Sequence, residues 1–210
     1  MVMDDPPPSR AATLTLVGGE LAFDFANTSS GRGWPTFMEH LRAPADVADW
    51  ARHARVLPPE DAHWLRAEAS QDSGLGEALL RAALALREDI FNIGEQLGAG
   101  RPPPETAIDD LRAVHAQCLA KARLAPFESR FVWNWRTRAD PIEAVLGPIS
   151  LSAMTILMQA DLTRVKQCRG EKCGWLFLDT TKNKSRRWCE MEVCGNRAKQ
   201  KRHARKARET

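Results

Sequence analysis

Tyrosine is missing altogether from this 210-residue chain. Its absence excludes every mechanism that needs a phenolic nucleophile or acid, the tyrosine-type DNA-cleaving enzymes among them. Seven Trp and seven Phe carry the aromatic load instead. Long apolar runs are scarce as well: the longest, near Ile149 to Met158, is far below the roughly 20 residues a membrane span needs. The start, Met1-Val2-Met3-Asp4-Asp5 before Pro6-Pro7-Pro8, has neither the basic nor the apolar region of a signal peptide. The expectation is a cytoplasmic protein with no membrane association. No Ser/His/Asp order, His-x-x-x-His, phosphate-binding glycine loop or paired catalytic carboxylates stand out, so the reading is not an enzyme. Cysteine is sparse, and four of the five fall between 168 and 194. In a reducing compartment such a cluster suits metal better than disulfides.

Charge of one sign is lacking only on average. The net +3 conceals 15 basic and 22 acidic residues up to Thr163, against 15 basic and 5 acidic beyond it, so a body of −7 precedes a tail of +10. The length allows one medium domain and a small module. The division read from the sequence is a disordered segment over 1–12, a helical domain over 13–163 and a cysteine module with a basic helix over 164–210.

Along the body, Leu14 to Val17 suits a short strand ended by Gly18-Gly19. In the apolar run Leu21 to Thr28, Asp24 and Asn27 are three apart and would share one helical face. Helices are expected from Pro44 to Leu57 and from Glu60 to Ala69. The strongest seam is Leu79, Ala83, Leu86, Ile90, Ile93 and Leu97, with spacings of four and three, ending near Gly98. Glu105 to Ala122 reads as a further helix with Cys118 as a small core residue. From Arg130 the period becomes two, with Phe131, Trp133 and Trp135 on one face, and Leu124 to Phe127 is a candidate partner strand. Asp140-Pro141-Ile142-Glu143 has the pattern of a capping box, and Gly147-Pro148 is expected to interrupt the helix it starts. The fold class is mainly α with a small β element.

The cysteines run Cys168-x4-Cys173, then fifteen residues, then Cys189-x4-Cys194. Two pairs across a hairpin-sized stretch can converge four thiolates on one tetrahedral zinc ion, and four thiolates leave no open position for a catalytic water. One structural Zn2+ is therefore expected, four reduced structural or redox cysteines being the competing reading. A module with so few large apolar side chains needs the metal's stabilisation. Gly174 and Gly195 each follow a cysteine, where tight turns can aim amides at sulfur. A knuckle, a hairpin and a second pair running into a helix suggest a treble-clef-like finger ending in a basic helix.

The stretch Trp188 to Arg197 contains Cys194-Gly195-Asn196-Arg197. With Cys168 to Asp179 and Ser185-Arg186-Arg187, it closely resembles the bacterial CGNR zinc-finger family. Gly18-Gly19-Glu20-Leu21-Ala22-Phe23-Asp24-Phe25-Ala26-Asn27-Thr28 resembles that family's usual partner, the ABATE domain. The resemblance implies a stress-induced transcriptional regulator in which an N-terminal, ligand-sensing domain joins a DNA-binding finger. It also implies that Cys168, Cys173, Cys189 and Cys194 are the zinc ligands.

The residues make a case for DNA of their own. Arg197, Lys199, Lys201, Arg202, Arg205 and Arg208 lie on one expected helix from Asn196 to Glu209, and Arg197, Lys201, Arg205 and Arg208 form a continuous stripe. Such a helix can follow phosphates or enter a major groove. Arg186 and Arg187 could add contacts beside the metal. The alternative is a zinc-stabilised interaction or scaffold module whose basic finger docks on an acidic body. For a small-molecule effector, Asp24, Asn27, Thr28 and Trp133 are the candidate contacts, with Trp135 as the alternative to Trp133 for the wall. The competing reading has Asp24 and Asn27 capping or bridging nearby backbone. The sequence does not reveal the oligomeric state.

Overall fold

The computed structural model describes residues 9–207. In chain order its elements are α1 (Leu21–Ala26), the short antiparallel pair β1 (Ser29–Ser30) and β2 (Met38–Glu39), α2 (Pro44–His53), α3 (Pro59–Gln71), α4 (Ser73–Gly98), α5 (Glu105–Lys121), the hairpin β3 (Arg123–Phe127) and β4 (Arg130–Asn134), α6 (Pro141–Gln159), the antiparallel pair β5 (Val165–Gln167) and β6 (Leu176–Leu178), and α7 (Asn196–Lys206). The mainly helical reading with small β elements holds.

Helix α4 is the axis of the body, packing against α1, α2, α3, α5 and α6. Its seam is the one the periodicity predicts: Leu79, Ala83, Leu86, Ile90 and Ile93 are buried. Each large apolar side chain removed from water there contributes on the order of 1.5–3 kcal/mol. Asp72 caps the start, accepting from Leu75 N at 3.0 Å. Arg87, 3% exposed on the same helix, is held by Glu39 and Glu88, and Glu88 also binds Arg32. That network fastens the β1–β2 region to α4 and satisfies a guanidinium that burial would otherwise make costly.

Four local expectations change. Residues 1–8 of the expected disordered segment lie outside the described residues, but 9–12 are ordered. Ser9 N donates to Asp49 Oδ2, Arg10–Thr13 forms a 3-10 turn on α2, and Ala11 is fully buried there. Residues 14–17 form no strand, because their partners are elsewhere: the Val17 and Gly18 carbonyls accept from Arg186 and Leu178 of the C-terminal module. Asp140 makes no cap bond and pairs with Lys121 at 3.1 Å. Gly147-Pro148 does not interrupt α6. Proline inside the helix costs the one i→i−4 bond that its N–H would make, yet α6 runs on through it, and Gly147 is where the Trp135 ring packs, since a Cβ would lie 2.3 Å from its Cε2. The uninterrupted helix is long and apolar enough to span a membrane by composition. Its Val145, Ile149 and Ile156 nevertheless lie in the core.

The C-terminal module is built into this body. Val165 and Leu176 belong to the body's own core, and a Cβ on Gly94 of α4 would stand 2.4 Å from Leu176 Cδ1. A bare backbone on α4 admits the hairpin.

Candidate metal centre and nucleic-acid interface

Two turns bring the cysteines together. The first follows β5: Cys168 N bonds the Trp175 carbonyl at 2.8 Å, and Lys172 and Gly174 take positive φ to reverse the chain. The second is a single π turn, Met191–Gly195, leading directly into α7. All four Sγ atoms lie within 4.8 Å of one another, with Cys173 to Cys189 at 3.6 Å and Cys189 to Cys194 at 3.8 Å. Zinc–sulfur bonds of about 2.3 Å at tetrahedral angles place sulfurs roughly 3.8 Å apart, so the cage fits zinc. These distances are far beyond a disulfide of about 2.05 Å.

The chemistry of the donors agrees. Hydrogen bonds from the Cys173 and Cys189 thiols hold Cys168 far below the usual thiol range. Sharing with Cys168 pushes Cys173 and Cys189 up, and burial pushes Cys194 up. Four thiolates this close repel one another, and a divalent cation is what lets all of them ionise. Cys168, Cys173, Cys189 and Cys194 form a single zinc-binding site. Gly170 is required beside it: a Cβ would crowd Cys194 Sγ at 3.0 Å, and its amide points at Cys168 Sγ at 3.4 Å. Gly195 was expected to aim its amide at sulfur but bonds the Glu190 carbonyl instead.

Around the cage, Asp179 is fully buried and organises the hairpin loop. It accepts from Lys166 Nζ at 2.5 Å, Thr181 and Arg186 N. Although burial alone would raise it, these donors hold its carboxyl well below the usual range. Arg186 turns inward. Its guanidinium lies 4.4 Å above the Phe177 ring and donates to the Val17, Trp188 and Cys189 carbonyls. It is a staple between finger and body, not a free phosphate contact as expected. Arg187 stays exposed, its carbonyl accepting from the amide of exposed Arg169. Arg169 carries no distinguishing signal in the sequence, where it is one of three charged residues, with Glu171 and Lys172, inside the first knuckle.

Helix α7 packs chiefly on the π turn before it. Arg197, Lys199, Lys201 and Arg202 are exposed along it. Lys201 is 2.5 Å from Glu171 of the first knuckle, which leans the helix over a groove of about 650 Å³ lined by Arg169, Arg197 and Arg202. The side chain of Arg205 and the whole of Arg208 lie outside the described residues.

The proposed effector residues do not converge. Asp24 Oδ1 accepts from Gly18 N at 2.7 Å, and burial raises its carboxyl despite that bond. Thr28 is fully buried, its hydroxyl donating to the Phe25 carbonyl. Asn27 bonds the backbone of Leu176 twice: Nδ2 donates to its carbonyl at 2.9 Å, and Oδ1 accepts from its amide at 2.8 Å. Trp175 Nε1 donates to the Ser29 carbonyl, and Gly31 N donates to the carbonyl of the ligand Cys173. Asp24 thus bridges nearby backbone, as the competing reading has it, whereas Asn27 is a clasp for the finger, 149 residues away in sequence. Trp133 stands apart on β4, lining a cleft that none of Asp24, Asn27 and Thr28 lines.

Residues 164–207 match the family described as "CGNR zinc finger", and residues 19–160 match ABATE, described as "Putative stress-induced transcription regulator". No curated protein matches the chain.

Proposed function

From the premise that the chain belongs to the ABATE family and carries a CGNR zinc finger, we propose that it is a stress-responsive transcription regulator that binds duplex DNA. The contacts come from α7 and the exposed arginines beside the zinc cage, and the helical body receives a small effector. One observation carries this reading: a helix with exposed Arg197, Lys199 and Arg202 leaves a metal-fixed turn, with Arg169 and Arg187 exposed on the same module. Clustered basic side chains held at fixed spacing are what phosphates attract, and zinc supplies the fixity. The metal itself is structural.

The scaffold alternative expected the finger to dock on the body through its charge. Docking does occur, through Asn27, Trp175 and Leu176, the Arg186 staple and the Lys184–Asp161 ion pair at 2.7 Å, and none of these residues belongs to α7. The basic side chains named above remain open to a polyanion.

The test is fluorescence anisotropy of the zinc-loaded full chain on duplex DNA. With about five phosphate contacts, a log-log salt slope of roughly −4 to −5 is expected. Replacing Arg197, Lys199 and Arg202 together by Gln should abolish binding with zinc content and melting temperature unchanged. Affinity indifferent to salt, or retained in the triple variant, overturns the reading. No affinity for DNA at physiological salt returns the scaffold alternative.

A further inference from the structure

The body contains a cleft of about 670 Å³ that the metal, the clasp and the basic helix leave unused. It lies between the β3–β4 hairpin, the face of α6 carrying Pro148, Leu151 and Thr155, and the turn at Val56 to Pro58. Its volume is in the range of pockets for small organic ligands.

The hairpin is two-faced. Leu124 pairs with Trp133 and Pro126 with Phe131, so these four share one side, while Arg123 and Arg130 belong to the other. The apolar side lines the cleft and yet remains open to solvent: Leu124 is 58% exposed, Phe131 68% and Trp133 39%. Large apolar side chains exposed side by side mark ligand or partner sites more than inert surface. Trp135 fixes the wall, buried with its Nε1 donating to the Cys118 carbonyl at 2.7 Å. Among the lining residues the ionisable ones are both acidic, Glu20 and Asp61, and Thr137 orients Asp61 through a 2.8 Å hydrogen bond.

We propose that this cleft binds a lipophilic organic cation. The electron-rich faces of Trp133 and Phe131 attract a delocalised positive charge, the two acidic groups complement it, and the apolar walls take its hydrocarbon part. An anion of the same shape meets the same walls and the opposite electrostatics. This deepens the effector reading of the body and is independent of the DNA reading.

Isothermal titration of the zinc-loaded full chain with tetraphenylphosphonium, and separately with the near-isosteric anion tetraphenylborate, tests it. Saturable binding of one phosphonium per chain is expected, with the borate weaker by about tenfold or more. Trp133→Ala should abolish phosphonium binding. The near-isosteric pair Glu20→Gln with Asp61→Asn should weaken it at least about tenfold and bring the two ions together. Equal affinity for the two ions in the unaltered chain, absence of phosphonium binding, or indifference to the double variant overturns the proposal. So does a concentration-dependent dimer that Trp133→Ala dissolves, which would make the face a contact between copies. DNA anisotropy on the same samples separates the failures: intact DNA binding without phosphonium binding removes the effector site alone.

Discussion

Asn27 shows how much one side chain can hold. Its amide substitutes for a neighbouring strand, meeting both backbone groups of Leu176 in a buried setting 149 residues away in sequence. Asn27→Ala leaves a buried N–H and C=O without partners, and about 2–4 kcal/mol of stability should be lost in urea denaturation. A loss within a few tenths of a kcal/mol would mean that water replaces the clasp. Asp89 makes a prediction of opposite sign. Burial first, then Asp110 and Glu88, raise its carboxyl to about 6. A folded pKa raised above the unfolded value contributes stability at low pH that is lost as pH rises through about 6. Asp89→Asn should therefore raise the melting temperature more at pH 7.5 than at pH 5, because the loss begins where the unfolded carboxyl ionises, at 3.8, and is complete only above the folded value of about 6. Equal shifts at both values would assign the effect to packing.

At the scale of elements, α7 and the hairpin loop divide the work of the basic residues. Arg186 and Lys166 are turned onto carbonyls and Asp179, and they build the loop. Arg186→Lys keeps the charge but loses the fork and the ring contact, so it should lower stability more than DNA affinity per folded molecule. Thermal unfolding beside anisotropy reads both. On the proposed DNA-binding reading Glu171 opposes binding, because its carboxylate sits on Lys201 and is held below its usual range by that ammonium. Glu171→Gln frees one cation, and the expected result is tighter DNA binding with a steeper salt slope by about one contact. An unchanged slope would show that Lys201 faces away from the DNA.

For the whole molecule, the zinc cage and the body form one structure. Val165 and Leu176 lie in the body's core, and the Cys173 carbonyl is hydrogen-bonded to Gly31. Removing zinc with a chelator should lower the melting temperature of the entire chain in a single cooperative transition. Two separate transitions would mean that finger and body fold independently. Acid acts in the same direction. Asp179, held below its usual range, contributes stability above the unfolded carboxylate pKa that is lost as pH falls through the lower folded value, and thiolates release zinc as they are protonated.

The sequence by itself determined, through local patterns, most of the helices, strand β4 and the metal, but not the conformation of residues 14–17, the β1–β2 pair or the unbroken α6. Period-four-and-three spacing placed the α4 seam, period two placed β4, and the paired cysteines named the ligands, because each pattern is a local consequence of backbone geometry or of a donor set. It also made α7 legible as a basic helix, since charge density needs no tertiary context. Which arginine faces solvent was not legible: Arg186 and Arg187 are adjacent and identical in type, and only the packing of Phe177 and Val17 separates them. Nor could spacing reveal that Asn27 reaches Leu176, that Gly147 receives Trp135, or that Trp133 stands over a cleft with Glu20 and Asp61. These are contacts between segments far apart in the chain. They exist because helices and hairpins must bury their apolar faces against one another, and that mutual burial, rather than any local pattern, decides which polar groups converge.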